Sequence, residues 1–346
     1  MIVEDSSVVR EFLQYLIGRD ERLQVVAAVK SAEEALRVIR HVAPDVISMD
    51  IRLPGMNGFE ATRRIMAERP TPIVVVAASV DAEDLKISMN ALRAGALAVV
   101  EKPPGTTHAE YETLAAQLCT RLAIMSHVNV IRQRFQPKLL PPEPLARHRL
   151  KAAASPRLAV DSIKMLGIVA STGGPNALDR LLKNLTPEFP VPIALVQHIT
   201  ASFHGAFVEW LNDVCPLPVV EATAGHKPRP GVVYVAPADC HLRVGPECFR
   251  LEHGEPVCLQ RPSGTLLLES IAESFGACSL GVLLTGMGDD GAAGLRSIRN
   301  AGGHTIAEDE TTAVVYGMPG VAVRIGAVCE SLPLHEIGPR VLELVR

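Results

Sequence analysis

Aromatic residues are scarce in this 346-residue chain: one Trp, four Tyr and eight Phe, 4% of the whole. Surfaces that hold single-stranded nucleic acid stack bases on aromatic rings above a basic groove, and a net charge of −4 provides no such groove globally. Long hydrophobic runs are also missing. No stretch reaches the roughly 18–20 apolar residues of a membrane span without a charge, a proline or a histidine. The opening residues MIVEDS lack the basic region and the cleavage site of a secretory signal. Cysteines are present (Cys119, Cys215, Cys240, Cys248, Cys258, Cys278, Cys329), but seven is an odd number and none forms a CxxC pair. That pattern predicts free thiols in a reducing compartment rather than a disulfide framework, so the expected location is cytoplasmic, with no insertion into a membrane.

Glycine is absent from residues 128–160, a segment that carries seven basic side chains against one acidic and five prolines. It reads as a semi-rigid basic linker between two globular units, residues 1–127 and 161–346. A chain of this length, with 48% hydrophobic and 21% charged residues, suits two soluble domains. In the first, short apolar runs at 23–29, 46–49, 73–78 and 97–100 follow a very short first strand and alternate with amphipathic helical patterns such as AEEALRVIRHV. In the second, strands are expected at 164–170, 191–197, 217–220, 232–235, 280–285, 304–307 and 326–330, with helices after Pro175, Ala201, Ser263 and Gly291. The stretch 217–254, with VVYVAP and CHLRV, reads as a hairpin insertion. Short buried runs alternating with helices specify parallel sheets covered on both faces, so both units are expected to be doubly wound α/β domains.

In such sheets ligands sit beyond the carboxyl ends of the strands. Three ends in the first unit are polar: Glu4 and Asp5 after the first strand, Asp50 after the third, and Lys102 after the fifth. Carboxylates crowded together repel unless a cation lies among them, and hard oxygen ligands suit Mg²⁺. Taken singly, each acid is as well explained as a helix cap. The motifs VEDS, the aspartate ahead of IRLPGMNGFE, and EKPP resemble a response-regulator receiver domain over about 120 residues. The resemblance implies Asp50 as phospho-acceptor, Glu4, Asp5 and Asp50 as Mg²⁺ ligands, Lys102 as the phosphoryl contact, and a histidine kinase of the chemotaxis type as phosphodonor. Two positions depart from that pattern. Ala77 stands where receivers carry threonine or serine, with Ser79 two residues on, and Val99 stands where an aromatic is usual.

The stretch GIVASTGGPNAL at 167–178 ends a strand on Ser171 and opens a helix. It matches neither GxxxxGK[ST], nor GxGxxG, nor GxSxG, which leaves a serine at a strand end with glycines clearing the space above it. A turn of this kind is most often a helix cap, but a nucleophile would use the same free N–H groups to hold a developing negative charge. A serine nucleophile needs a base and an orienting acid. His198 closes the apolar strand PIALVQHI on the same sheet edge, with His204, His241 and His304 as rivals, and SLGVLLTGMG ends in Asp289-Asp290. Spacing does not choose between the two aspartates.

VASTGGP, the QH pair, YVAPADCHL, TGMGDDGAAG and YGMP together resemble the catalytic domain of the chemotaxis protein-glutamate methylesterase (CheB) family. That resemblance implies Ser171 as nucleophile, His198 as general base and Asp290 as orienting acid, with Thr172 and the Met287 loop beside the oxyanion. It also implies a phosphorylation-regulated serine hydrolase acting on glutamate methyl esters and glutamines of methyl-accepting chemoreceptors. No cofactor is expected for the esterase step, and no nucleic-acid partner. Arg261-Pro262-Ser263-Gly264-Thr265 departs from the family's Arg-Pro-Ser-Val-Asp, and altered contacts in the substrate cleft are the expected consequence. The competing class is an adaptor regulator whose second domain has lost catalysis; retention of serine, histidine and aspartate argues against it.

Overall fold

The computed structural model describes residues 1–77, 87, 89–92, 94–103, 111–128 and 163–345. Ser79 and nearly all of the 128–160 linker lie outside the described residues. The first unit is a five-stranded parallel sheet in the order β2-β1-β3-β4-β5, with β1 Ile2–Val3, β2 Ala28–Val29, β3 Ile47–Met49, β4 Ile73–Ala77 and β5 Ala98–Glu101. The strand expected at 23–29 shrinks to Ala28–Val29. Its neighbour β1 is only two residues long, pairing Ile2 with Ala28 and Val3 with Val29, and a parallel ladder extends no further than its partner.

The second unit is a seven-stranded parallel sheet in the order β14-β13-β12-β6-β7-β9-β8. Its strands are β6 Met165–Ala170, β7 Ile193–Gln197, β8 Val219–Glu221, β9 Val233–Val235, β12 Ser279–Leu283, β13 His304–Glu308 and β14 Glu330–Leu332. Helices begin at Gly174, Ala201, Gly264 and Ala292, next to the predicted signals. Two expectations need correction. The 217–254 stretch is not one hairpin: β8 and β9 join the main sheet in parallel, and only β10 His241–Val244 and β11 Phe249–Glu252 form an antiparallel pair. The last strand begins at Glu330 rather than 326, because Gly326, at φ 71°, and the residues after it are used in leaving the helix Met318–Arg324.

Alternation along the central strands explains why both faces are covered. Leu166, Ile168, Ile193 and Leu195 pack into one apolar cluster, while Met165, Val169, Ala194 and Val196 pack into the other. All eight are buried to 1% exposure or less. Trimming one such leucine to alanine typically costs about 2–5 kcal/mol, so the scaffold under the strand ends is stiff.

The topology fixes where ligands can sit. In each unit the chain enters at an interior strand and later winds to both sides of it: β1 lies between β2 and β3, and β6 between β7 and β12. A crevice opens at such a switch point, beyond the carboxyl ends. Among the described residues no helix is long and apolar enough to cross a membrane.

Candidate active site

Ser171 and His198 are the residues that follow paired strand ends. Ala170 is in register with Gln197 across β6 and β7, and His198 N–H donates to the Ala170 carbonyl at 3.0 Å. Gln197 ties the two further, its Nε2 donating to the carbonyls of Ser171 (2.9 Å) and His198 (3.0 Å). The two glycines of STGGP answer separate constraints. Gly173 has φ 80°, and a Cβ there would strike Val314; a Cβ on Gly174 would collide with the Gln197 side-chain oxygen. Glycine therefore lets the helix Gly174–Leu182 start directly over the amide that braces the serine. On the other side Ser171 N–H donates to Thr285 O at 3.0 Å, and the Thr285 hydroxyl donates to Thr172 O at 2.9 Å.

Asp290 lies in the loop after β12 and is 2% exposed, whereas Asp289 beside it is exposed. His198 Nε2 is 2.8 Å from Asp290 Oδ2, so that nitrogen carries the proton, and Nδ1 is left as a buried lone pair with no partner. The carboxylate also accepts from the Ser263 hydroxyl (2.7 Å) and from the Gly264 (2.6 Å) and Thr265 (3.0 Å) N–H groups. Burial alone would push the Asp290 pKa up. The His198 hydrogen bond, with those donors at the start of the helix Gly264–Phe275, outweighs it and holds the pKa below the usual carboxylate range. The 261–265 departure, expected to alter contacts in the substrate cleft, also lies against the acid: Ser263, Gly264 and Thr265 are the immediate support of Asp290. The helix expected after Ser263 is present, with Ser263 as its N-cap, but nothing in the sequence said that this helix start receives a distant aspartate.

The rival histidines have other partners. His204 Nε2 lies 2.7 Å from Glu221 and His304 Nε2 2.7 Å from Glu330, while His241 accepts from Ser263 N–H. Thr172 is buried, and Met287 is an exposed residue of the loop between Thr285 and Asp290. All seven cysteines are free.

At the carboxyl edge of the first sheet, one carboxylate oxygen from each of Glu4, Asp5 and Asp50 lies within 4.8 Å of the others. Lys102 Nζ bridges Glu4 (2.8 Å) and Asp50 (3.1 Å). Burial, with the neighbouring Asp50 charge, lifts the Glu4 pKa above its usual value despite the lysine. Burial opposes the Lys102 charge, but the two carboxylates raise its pKa overall. Two buried acids and one exposed acid around an open edge fit a hard divalent cation that keeps some of its water. Ala77 is fully buried, and its carbonyl accepts from Lys102 N–H at 2.8 Å.

β5 and the helix Tyr111–Met125 of the first unit pack against the serine edge of the second. Gly173 N–H donates to Leu97 O at 3.3 Å, Ser202 Oγ to Glu101 Oε2 at 2.9 Å, and Arg121 Nη1 to Thr172 Oγ1 at 3.0 Å. Ser171 and His198 are left 6% and 8% exposed, on a cavity of about 40 Å³ roofed by Leu97, Val99, Val100, Gln117 and Arg121. With so little of either side chain open, the receiver covers the serine and histidine in this arrangement.

Residues 166–341 match the model of the CheB methylesterase family, and residues 1–110 match that of the response regulator receiver domain. A protein-glutamate methylesterase/protein-glutamine glutaminase 2 of Paramagnetospirillum magneticum is 52% identical over 344 residues, spanning 99% of this chain and 96% of that one. A protein of the same activity name from Nitrosospira multiformis is 41% identical over 346 residues, covering 100% of this chain and 96% of its own. The crystal structure of the Thermotoga maritima CheB methylesterase catalytic domain superposes with a TM-score of 0.52 at 37% identity, covering 53% of this chain and all of that one. With serine, histidine and aspartate gathered at one switch point, and β5 and the helix Tyr111–Met125 of the receiver laid over the serine and histidine, the chain belongs to the CheB methylesterase family.

Proposed function

We propose that this chain hydrolyses glutamate methyl esters and deamidates glutamines of chemoreceptors, using Ser171 as nucleophile, His198 as general base and Asp290 as orienting acid. His198 Nδ1 would take the Ser171 proton, because its other nitrogen is committed to Asp290. Ser171 attacks the ester or amide carbonyl, and the oxyanion forms against the Thr172 turn and the Met287 loop. The protonated imidazole, steadied by Asp290, returns the proton to the leaving methanol or ammonia. Water activated by the same nitrogen then releases the glutamate.

Regulation follows from the covered cleft. Phosphorylation of Asp50 by a chemotaxis-type histidine kinase shifts the population away from the packing that roofs Ser171. Glu4, Asp5 and Asp50 would hold Mg²⁺, which when bound neutralises charge between the carboxylates and the incoming phosphoryl group. Lys102, already shared between Glu4 and Asp50, would turn to the phosphoryl oxygens. These reactions suit a cytoplasmic enzyme working on the receptors' interior segments.

The observation that carries the reading is the 2.8 Å His198–Asp290 bond beside a serine one register step away. Methanol release from methylated receptor tests it. Ser171→Ala should remove turnover while the protein stays folded, whereas turnover at the wild-type rate would refute the assignment.

A further inference from the structure

YVAPADCHL contributes nothing to the three catalytic side chains, yet its histidine is more deeply buried than they are. His241 is 1% exposed at the start of β10. Its ring is held from both sides. Ser263 N–H donates to Nδ1 at 3.1 Å. Nε2 lies 3.0 Å from the Glu255 carbonyl, which can only accept, so Nε2 bears the hydrogen. One neutral tautomer satisfies both partners, and it pins the Ser263 backbone to the hairpin.

The position of Ser263 matters because three donors to Asp290 arise from it and the next two residues: its own hydroxyl and the N–H groups of Gly264 and Thr265. Asp290 in turn receives His198 Nε2. A buried carboxylate with four donors has its direction set by them, and the imidazole direction follows. We propose that His241 is a positioning residue for hydrolysis: it fixes the Ser263 turn, thereby the Asp290 carboxylate, and thereby the aim of His198 Nδ1 at Ser171. His241 itself touches no substrate. The inference rests on the catalytic reading above.

Two amides separate the functions of the ring. Asparagine places its side-chain oxygen near the site of Nδ1 and accepts from Ser263 N–H. Glutamine places its NH₂ near Nε2 and serves Glu255 while offering nothing to Ser263. The assay is methanol release by the full-length chain with Mg²⁺ and a small phosphodonor, alongside thermal unfolding. His241→Gln should lower kcat about 10- to 100-fold with KM within about twofold, the size expected when a reacting group is misaimed by a fraction of an ångström to an ångström. His241→Asn should stay within about fivefold of wild type.

A purely structural histidine predicts that Asn and Gln lose activity alike and in step with stability, and that result overturns the proposal. Ser263→Ala supplies a check that does not depend on how well the glutamine variant folds. It should slow kcat by itself, and the variant combining it with His241→Asn should be no slower. Wild-type kcat in Ser263→Ala would also overturn the proposal. Ser171→Ala and His198→Ala run in parallel: turnover surviving in them refutes the catalytic reading, while turnover lost in them but intact in His241→Gln refutes only the role given to His241.

Discussion

Arg121 and Thr172 join the two halves of the molecule next to Ser171, the guanidinium of one donating to the hydroxyl of the other at 3.0 Å. Thr172 follows Ser171 directly, so the receiver reaches within one residue of the serine. Burial lowers the Arg121 pKa, and among the described residues no carboxylate pairs with it. Partial burial of that charge opposes the closed packing while its hydrogen bond to Thr172 favours it, and the net sign rests on which is larger.

Arg121→Met tests that balance, since methionine fills much of the same space without the charge. The closed form should gain stability, and the basal esterase rate of the full-length protein should fall about three- to tenfold in the absence of phosphodonor. A basal rate that rises instead would mean the hydrogen bond to Thr172 outweighs the desolvation.

Asp290 and Asp289 are neighbours in sequence with opposite surroundings. Asp290→Asn keeps the shape but forfeits the charge that holds His198, and kcat should fall by about 10⁴, the loss known for the equivalent change in a serine protease. Asp289 is exposed, and Asp289→Asn should stay within about threefold of wild type. Because the folded pKa of Asp290 lies below the normal carboxylate value, its contribution to stability is present above that value. It is lost as pH falls through the lowered folded pKa. Stability compared between wild type and Asp290→Asn should therefore converge in acid.

Much of this arrangement was legible in the residues themselves. Periodicity gave two parallel sheets, and polar residues at strand ends gave Ser171, His198, Asp50 and Lys102, because side chains at those ends have few places to go. Strand lengths were less legible: nothing local in LQVVAAV says that β1 is too short to pair with it. Spacing also failed to separate Asp289 from Asp290, since the choice depends on the Gly264–Phe275 helix, whose N–H groups arrive from 25 residues upstream of Asp290. Support for the acid was invisible for the same reason. It runs through His241 and Ser263, which only tertiary packing brings together.

Glu308 ends β13 at 1% exposure, accepting from Thr285 N–H with one oxygen while the other has no partner. Burial lifts its pKa from 4.5 to about 7. The folded state thus favours the protonated form, and stability present below pH 4.5 is progressively lost as pH rises to about 7. The total is roughly 2–3 kcal/mol at 1.36 kcal/mol per pH unit, after allowing for relaxation. Glu308→Gln retains an acceptor for Thr285 and does not titrate. Denaturation followed by fluorescence of Trp210, which lies in this unit, should show the variant about 2 kcal/mol more stable at pH 8 and unchanged near pH 4.5. Equal stabilities at both pH values would contradict the shift.

The proposed Mg²⁺ site has one exposed acid, Asp5. Asp5→Ala removes a charged ligand without disturbing the Lys102 bridge between Glu4 and Asp50, so the fold should persist. Calorimetric titration should show Mg²⁺ affinity reduced at least about tenfold. Unchanged affinity would mean the carboxylates act as helix caps and nothing more.

The last prediction concerns the two departures from the receiver pattern. A hydroxyl donor reaching a phosphoryl group is worth about 1–3 kcal/mol, and Ala77 provides none. Val99 has no ring to swing; it already forms part of the roof over Ser171. Phosphorylation of Asp50 should therefore occur but activate weakly, with the active population roughly tenfold below that of a receiver with the hydroxyl. Restoring the donor is constrained by packing. Ala77 is 0% exposed, and threonine would add two heavy atoms where overpacking costs about 1–3 kcal/mol, enough to cancel the gain. Serine adds one. Ala77→Ser should increase the stimulation by a small phosphodonor about three- to tenfold without changing the basal rate, and deletion of residues 1–127 should exceed the phosphorylated wild type. A wild-type enzyme that phosphodonor alone drives to the level of the truncated form would show that neither Ala77 nor Val99 limits the switch.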